Sequence, residues 1–93
     1  MTLLVRSHQK ALGAFVVALE GEINGHTYPV LENKMDQLLA EYPTLIVLDM
    51  AEVSYMSSAG IRVILKTKKA LATGKGKLVF MNLQPQVKKV FEI

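Results

Sequence analysis

The sequence predicts an α/β fold in which a mixed β-sheet opens with an antiparallel hairpin, continues in parallel strands and is covered by helices. Short strand-like apolar runs alternate with stretches whose apolar residues recur every three or four positions, in the order strand, strand, helix, strand, helix, strand, helix. Only a polar turn around Gly13 separates the first two strand patterns, which suits a hairpin. The run Leu45-Ile46-Val47-Leu48 is continuously apolar, the mark of a strand covered on both faces and therefore parallel to a neighbour.

Each element has its own signal. Leu3 to Ser7 reads as a short strand, Gly13 closes the turn after Lys10, and Ala14-Phe15-Val16-Val17-Ala18-Leu19 is rich in strand formers. Gly21-Glu22-Ile23-Asn24-Gly25-His26 reads as a loop, with Asn24 and Gly25 suited to tight backbone. Thr27 is placed to cap a helix whose first turn tolerates Pro29. Leu31, Met35, Leu38, Leu39 and Tyr42 make one face of that helix, and Pro43 stops it. After the strand at Leu45 to Leu48 a second helix is expected, with Ile61, Ile64, Leu65, Leu71 and Ala72 on its inner face and Gly74 as its C-cap. Lys68 falls on the same face by spacing, its stem covering the core edge and its amine reaching water. Leu78-Val79-Phe80-Met81 reads as a third core strand, and Pro85 opens a last helix carrying Val87, Val90 and Phe91.

Composition bounds the function. Ninety-three residues, about half of them apolar, make one domain spanning 1–93 with a single core. The longest uninterrupted aliphatic and aromatic run, Ala14 to Leu19, is six residues, against the roughly 20 of a membrane-spanning helix. The N-terminus lacks a secretory signal pattern and the chain holds no cysteine, so a cytoplasmic protein without disulfides or thiolate metal sites is expected. Residues 1–60 carry three basic and seven acidic side chains, residues 61–93 eight and one. The lysines at 66, 68, 69, 75 and 77 have no aromatic interleaving, which argues for a solvated helix face and against direct nucleic-acid binding. Gly74-Lys75-Gly76-Lys77 lacks the earlier Gly and the following Ser or Thr of a P-loop. His8 and His26 are far apart in sequence, the acidic pairs have no completing ligand, and no nucleophile has an evident base. Neither catalysis nor a metal or cofactor site is expected.

The functional stretch is Val53-Ser54-Tyr55-Met56-Ser57-Ser58-Ala59-Gly60-Ile61, where a strand pattern crosses into a helix pattern. A serine at such a crossing is first of all an N-cap, worth ~1 kcal/mol. The same position lies against the partial positive charge of a helix N-terminus, which favours an added phosphate. The strands at 14–20 and 44–49 should deliver their following loops to one edge of the sheet, making Asn24 to Thr27 a neighbour of Ser57 and Ser58.

Those residues carry a family resemblance. Gly21-Glu22-Ile23-Asn24 followed by Thr27, then Ile46-Val47-Leu48-Asp49, Val53 to Ile61, and Pro85-Gln86-Val87-Lys88-Lys89-Val90-Phe91 resemble the STAS domain of bacterial anti-sigma factor antagonists over nearly the whole chain. The resemblance implies that Ser58 is phosphorylated by a partner anti-sigma factor of GHKL serine-kinase type, and that a PP2C-type phosphatase reverses this. The unmodified antagonist binds the anti-sigma factor and frees the sigma factor; the phosphorylated form lets go. The residues implied at the partner surface are Asn24, His26, Thr27, Met56, Ser57, Ser58, Ala59, Gly60 and Ile61, with Met56 and Ile61 as apolar contacts flanking the serine.

Against the family pattern, Ser57 and Asn24 stand where Asp is common, and Ser57 is a second hydroxyl beside the acceptor. The family's last strand and helix have no counterpart after Phe91, which leaves a sheet edge open to pairing with a second copy, a homodimer. The resemblance also admits a STAS subunit of a phospholipid-transport ABC system or a ligand-sensing interaction module, since a fold alone decides no function.

Overall fold

A computed structural model describes residues 2–91. The element order is β1 (Leu3–Ala11), β2 (Ala14–Ile23), α1 (Tyr28–Leu39), β3 (Leu45–Met56), α2 (Ser58–Thr73), β4 (Lys77–Met81) and α3 (Pro85–Phe91). One sheet holds the strands in the order β1-β2-β3-β4, with β1 antiparallel to β2 and the other neighbours parallel. Both parallel crossovers step the same way across the sheet, so right-handed connections put α1 and α2 on one face. α3 joins that layer through buried Val87 and through Phe91, whose ring centroid lies 4.9 Å from that of Phe80.

A single apolar cluster fills the space between sheet and helices. Phe15, Val17, Leu19 and Ile23 of β2, Ile46, Leu48, Met50, Val53 and Met56 of β3, and Leu31, Met35 and Leu38 of α1 meet Val63, Ile64 and Leu71 of α2. The helix layer covers only one face, so the expectation that β3 is covered on both is corrected. Ile46 and Leu48 are fully buried while Leu45 and Val47 alternate with them and are half-buried. β4 likewise alternates, with Val79 and Met81 exposed, and is an edge strand.

Other boundaries also shift. β1 runs on to Ala11, and Gly21 to Ile23 belong to β2 and pair with β3 instead of forming a loop. α1 ends at Leu39, so Tyr42 leaves the helical face for a left-handed backbone position (φ 51) and is 90% exposed, while Pro43 is buried.

The inner face of α2 is rotated from the predicted one. Gly60, Val63, Ile64, Thr67 and Leu71 point inward, while Leu65, Lys68 and Ala72 are exposed. Two small or polar residues account for the difference. Gly60 lets the helix come close to the sheet, and Thr67 satisfies its buried hydroxyl by donating to the Val63 carbonyl at 2.8 Å.

Two irregularities in β3 set up the site. Between Ala18 and Glu20 of β2, and again between Gly21 and Glu22, β3 carries one extra residue, so its buried side chains space out to Met50, Val53 and Met56. β4 pairs β3 only from Leu45 to Asp49. Beyond that point α3 covers part of the edge, where the side-chain amide of Gln84 donates to the Ala51 carbonyl at 2.7 Å and that of Gln86 to the Ser54 carbonyl at 3.3 Å.

Candidate functional site

The end of β2 and the end of β3 are joined side by side, and their following loops form one surface. Ile23 pairs with Met56 in register, and the Ser57 N–H donates to the Ile23 carbonyl at 2.8 Å. The neighbourhood expected of the Asn24–Thr27 loop and the Ser57-Ser58 turn is therefore present.

The first loop is locked by its own polar groups. Asn24 Oδ1 accepts from the His26 N–H at 2.8 Å and the Thr27 N–H at 3.0 Å. Thr27 Oγ1 accepts from the Asn24 N–H at 2.9 Å and donates to the Glu22 carbonyl at 2.7 Å. Thr27 is buried and precedes α1 without a side-chain cap bond to it, so its hydroxyl holds the loop rather than the helix. His26 and Gly25 are left exposed at the loop tip.

The two serines divide their work. Ser57 has extended backbone (φ −94, ψ 175), its Oγ accepts from the Ala59 N–H at 3.3 Å, and its carbonyl accepts from the Gly60 and Ile61 N–H groups at 3.1 and 3.2 Å. It is the N-cap. Ser58 is the first helical residue, is exposed, and makes no side-chain hydrogen bond among the described residues. No acidic side chain stands in the first turn of α2.

Close packing fixes this turn to the sheet. A β-carbon on Gly60 would lie 2.7 Å from Ile23 Cγ2 and 3.0 Å from Met56 Cγ, so only glycine lets α2 start so near β2 and β3. The structure thus separates the residues named at the partner surface into three groups. Thr27, Met56, Ala59 and Gly60 are buried supports. The expectation of Met56 as an apolar contact beside the serine is corrected: it is 2% exposed and belongs to the core. His26 and Ser58 are open to solvent, and Asn24, Ser57 and Ile61 are half-buried. Arg62 and Leu65 are also exposed on the helix that Ser58 begins, Leu65 against the expectation that it faces inward.

Among the remaining titratable residues that the structure describes, the two histidines lie apart from one another. His8 and His26 are exposed, Asp49 Oδ1 is occupied by the Ala51 N–H and the Asn82 side-chain amide at 3.1 and 3.2 Å, and among the described residues no cluster of His, Asp or Glu has metal-ligand geometry. No helix among them is long and apolar enough to cross a membrane.

Comparison with known proteins agrees with this geometry. The STAS domain profile matches residues 6–93. The BtrV protein of Bordetella bronchiseptica, named as an anti-sigma factor antagonist, is 36% identical over 81 residues, covering 87% of this chain and 70% of its own. The solved structure of the anti-sigma factor antagonist SpoIIAA in its unphosphorylated form superposes with a TM-score of 0.85 at 23% identity, over 96% of this chain and 78% of that one. The phosphorylated form of the Bacillus cell fate determinant SpoIIAA gives 0.79 at 22% identity, over 96% and 81%.

Proposed function

The chain belongs to the STAS domain family, and on that premise we propose that it is an anti-sigma factor antagonist switched by phosphorylation of Ser58. In its unmodified form it binds an anti-sigma factor of GHKL serine-kinase type and thereby frees a sigma factor for transcription. The kinase transfers the γ-phosphoryl group of ATP to Ser58 Oγ, leaving ADP and releasing the hydroxyl proton, and the complex dissociates. A PP2C-type phosphatase returns the chain to its binding form.

One observation carries this reading. Ser57 caps α2, so Ser58 is not needed as the cap and offers a free, exposed hydroxyl at a helix N-terminus. A phosphate there gains from the helix dipole and meets no acid in the first turn, so the chain itself tolerates it. A partner surface packed against the same point must accommodate about −1.5 to −2 added charges. Release follows from local repulsion and sterics, with no rearrangement of the fold.

Ser58→Asp and Ser58→Ala test the proposal against the purified anti-sigma factors of the source organism. Ser58→Asp should fold as the parent does and lose binding, while Ser58→Ala should bind and resist release by kinase and ATP. Equal binding by both variants with ATP present would sink the switch. Binding of both to a transporter ATPase instead would place the chain in the lipid-transport class.

A further inference from the structure

α2 carries four cations and no acid. Arg62, Lys66, Lys68 and Lys69 all lie within Ser58–Thr73, and among the described residues the one ion pair is Lys66 with Glu32 of α1, at 3.2 Å. Ser58, Arg62, Leu65 and Lys69 stand at i, i+4, i+7 and i+11, a spacing that aligns them along one line of the helix surface. All four are exposed, on the side of α2 away from buried Val63, Ile64, Thr67 and Leu71. Leu65, 52% exposed, stands on this face with Arg62, Lys66 and Lys69 around it.

We propose that this ridge is the surface through which the chain holds its regulatory partner, and that the partner presents carboxylates around an apolar socket for Leu65. The inference rests on the antagonist reading above and adds the face and the chemistry of recognition. Charge complementarity points to the occupant: among the described residues no carboxylate pairs with Arg62 or Lys69, so an acidic partner surface supplies it. An exposed leucine between cations has the anatomy of an interface centre with a charged rim.

The ridge also accounts for how a change at its end is felt along it. Arg62 stands one helical turn beyond Ser58, close enough for side chains at i and i+4 to pair. A phosphate on Ser58 draws Arg62 into an internal pair and sets its own charge against the partner's carboxylates. One modification thus removes an attraction and adds a repulsion.

The test uses Arg62→Glu, Lys69→Glu, the milder Lys69→Gln, and Leu65→Ala in the full chain. Each is titrated, at low and at high salt, against the purified anti-sigma factor of the source organism that binds the parent most tightly. Each charge reversal should weaken binding about tenfold or more and flatten its salt dependence. Lys69→Gln should lose less, and Leu65→Ala should weaken binding while keeping the parent's salt dependence. Thermal unfolding should match the parent throughout, because every substituted side chain is exposed. Charge reversals that leave affinity and salt dependence unchanged, or that tighten binding, overturn the ridge; if Ser58→Asp still abolishes binding, the antagonist reading survives that result. A parent that binds none of the organism's anti-sigma factors overturns both.

Discussion

Gly60 packs directly against Ile23, so that a β-carbon on the glycine would lie 2.7 Å from Ile23 Cγ2. Ile23 is fully buried and Met56, the next neighbour at 3.0 Å, is 2% exposed, so neither side chain can swing into solvent to make room. Gly60→Ala should therefore cost about 1–3 kcal/mol, the usual range for overpacking a tight core, despite alanine's better helix propensity. Urea unfolding measures it. A variant as stable as the parent would mean that α2 can slide away from β2 without penalty.

The adjacent serines should differ in stability even though they differ by one position. Ser57→Ala removes the oxygen that accepts from the Ala59 N–H and should cost ~1 kcal/mol. Ser58→Ala removes an exposed hydroxyl with no described partner and should fall within ~0.5 kcal/mol of the parent. Binding should reverse the ranking, since release by kinase and ATP depends on Ser58. Thermal unfolding of the two variants, set beside kinase-dependent release, separates cap from acceptor; equal stability losses would contradict the division of labour.

Much of the fold is legible in the sequence, and what is not legible has physical causes. The element order, the hairpin, the parallel crossovers and the meeting of the Asn24 loop with Ser57 follow from periodicity and connectivity. The inner face of α2 does not, because it is marked by the small Gly60 and the polar Thr67, while the large aliphatic Leu65, like Ala72, faces outward. Burial of Met56 was hidden for a different reason. Two extra residues in β3 break the two-residue alternation, and no local signal marks a bulge whose partner strand is remote in sequence.

Thr27 should be the residue whose hydroxyl matters most to the first loop. Thr27→Val keeps the shape but leaves the Asn24 N–H and the Glu22 carbonyl without their partner, at about 1–3 kcal/mol. Thr27→Ser should recover most of that loss, because it restores the oxygen and removes only a methyl group. Comparing the denaturant midpoints of the two variants checks this. Equal losses in both would assign the cost to packing and not to hydrogen bonding.

Asn24 accepts two backbone N–H groups through one oxygen, at 2.8 and 3.0 Å, and its amide nitrogen makes no described bond, so a carboxylate can replace it. Asn24→Asp should keep the fold and, when ionised, bind the same two donors more strongly, gaining up to ~1 kcal/mol over the parent. The sign of its pH dependence follows from which state the donors favour. Bonds to the ionised form pull the folded-state pKa below the unfolded value of about 3.9, so the gain is present above that pH and is lost as pH falls through the folded pKa. The stability difference between variant and parent, measured across the acid range, should shrink as acid is added. A difference that stays constant or grows toward low pH would show that the oxygen's two bonds do not hold the loop.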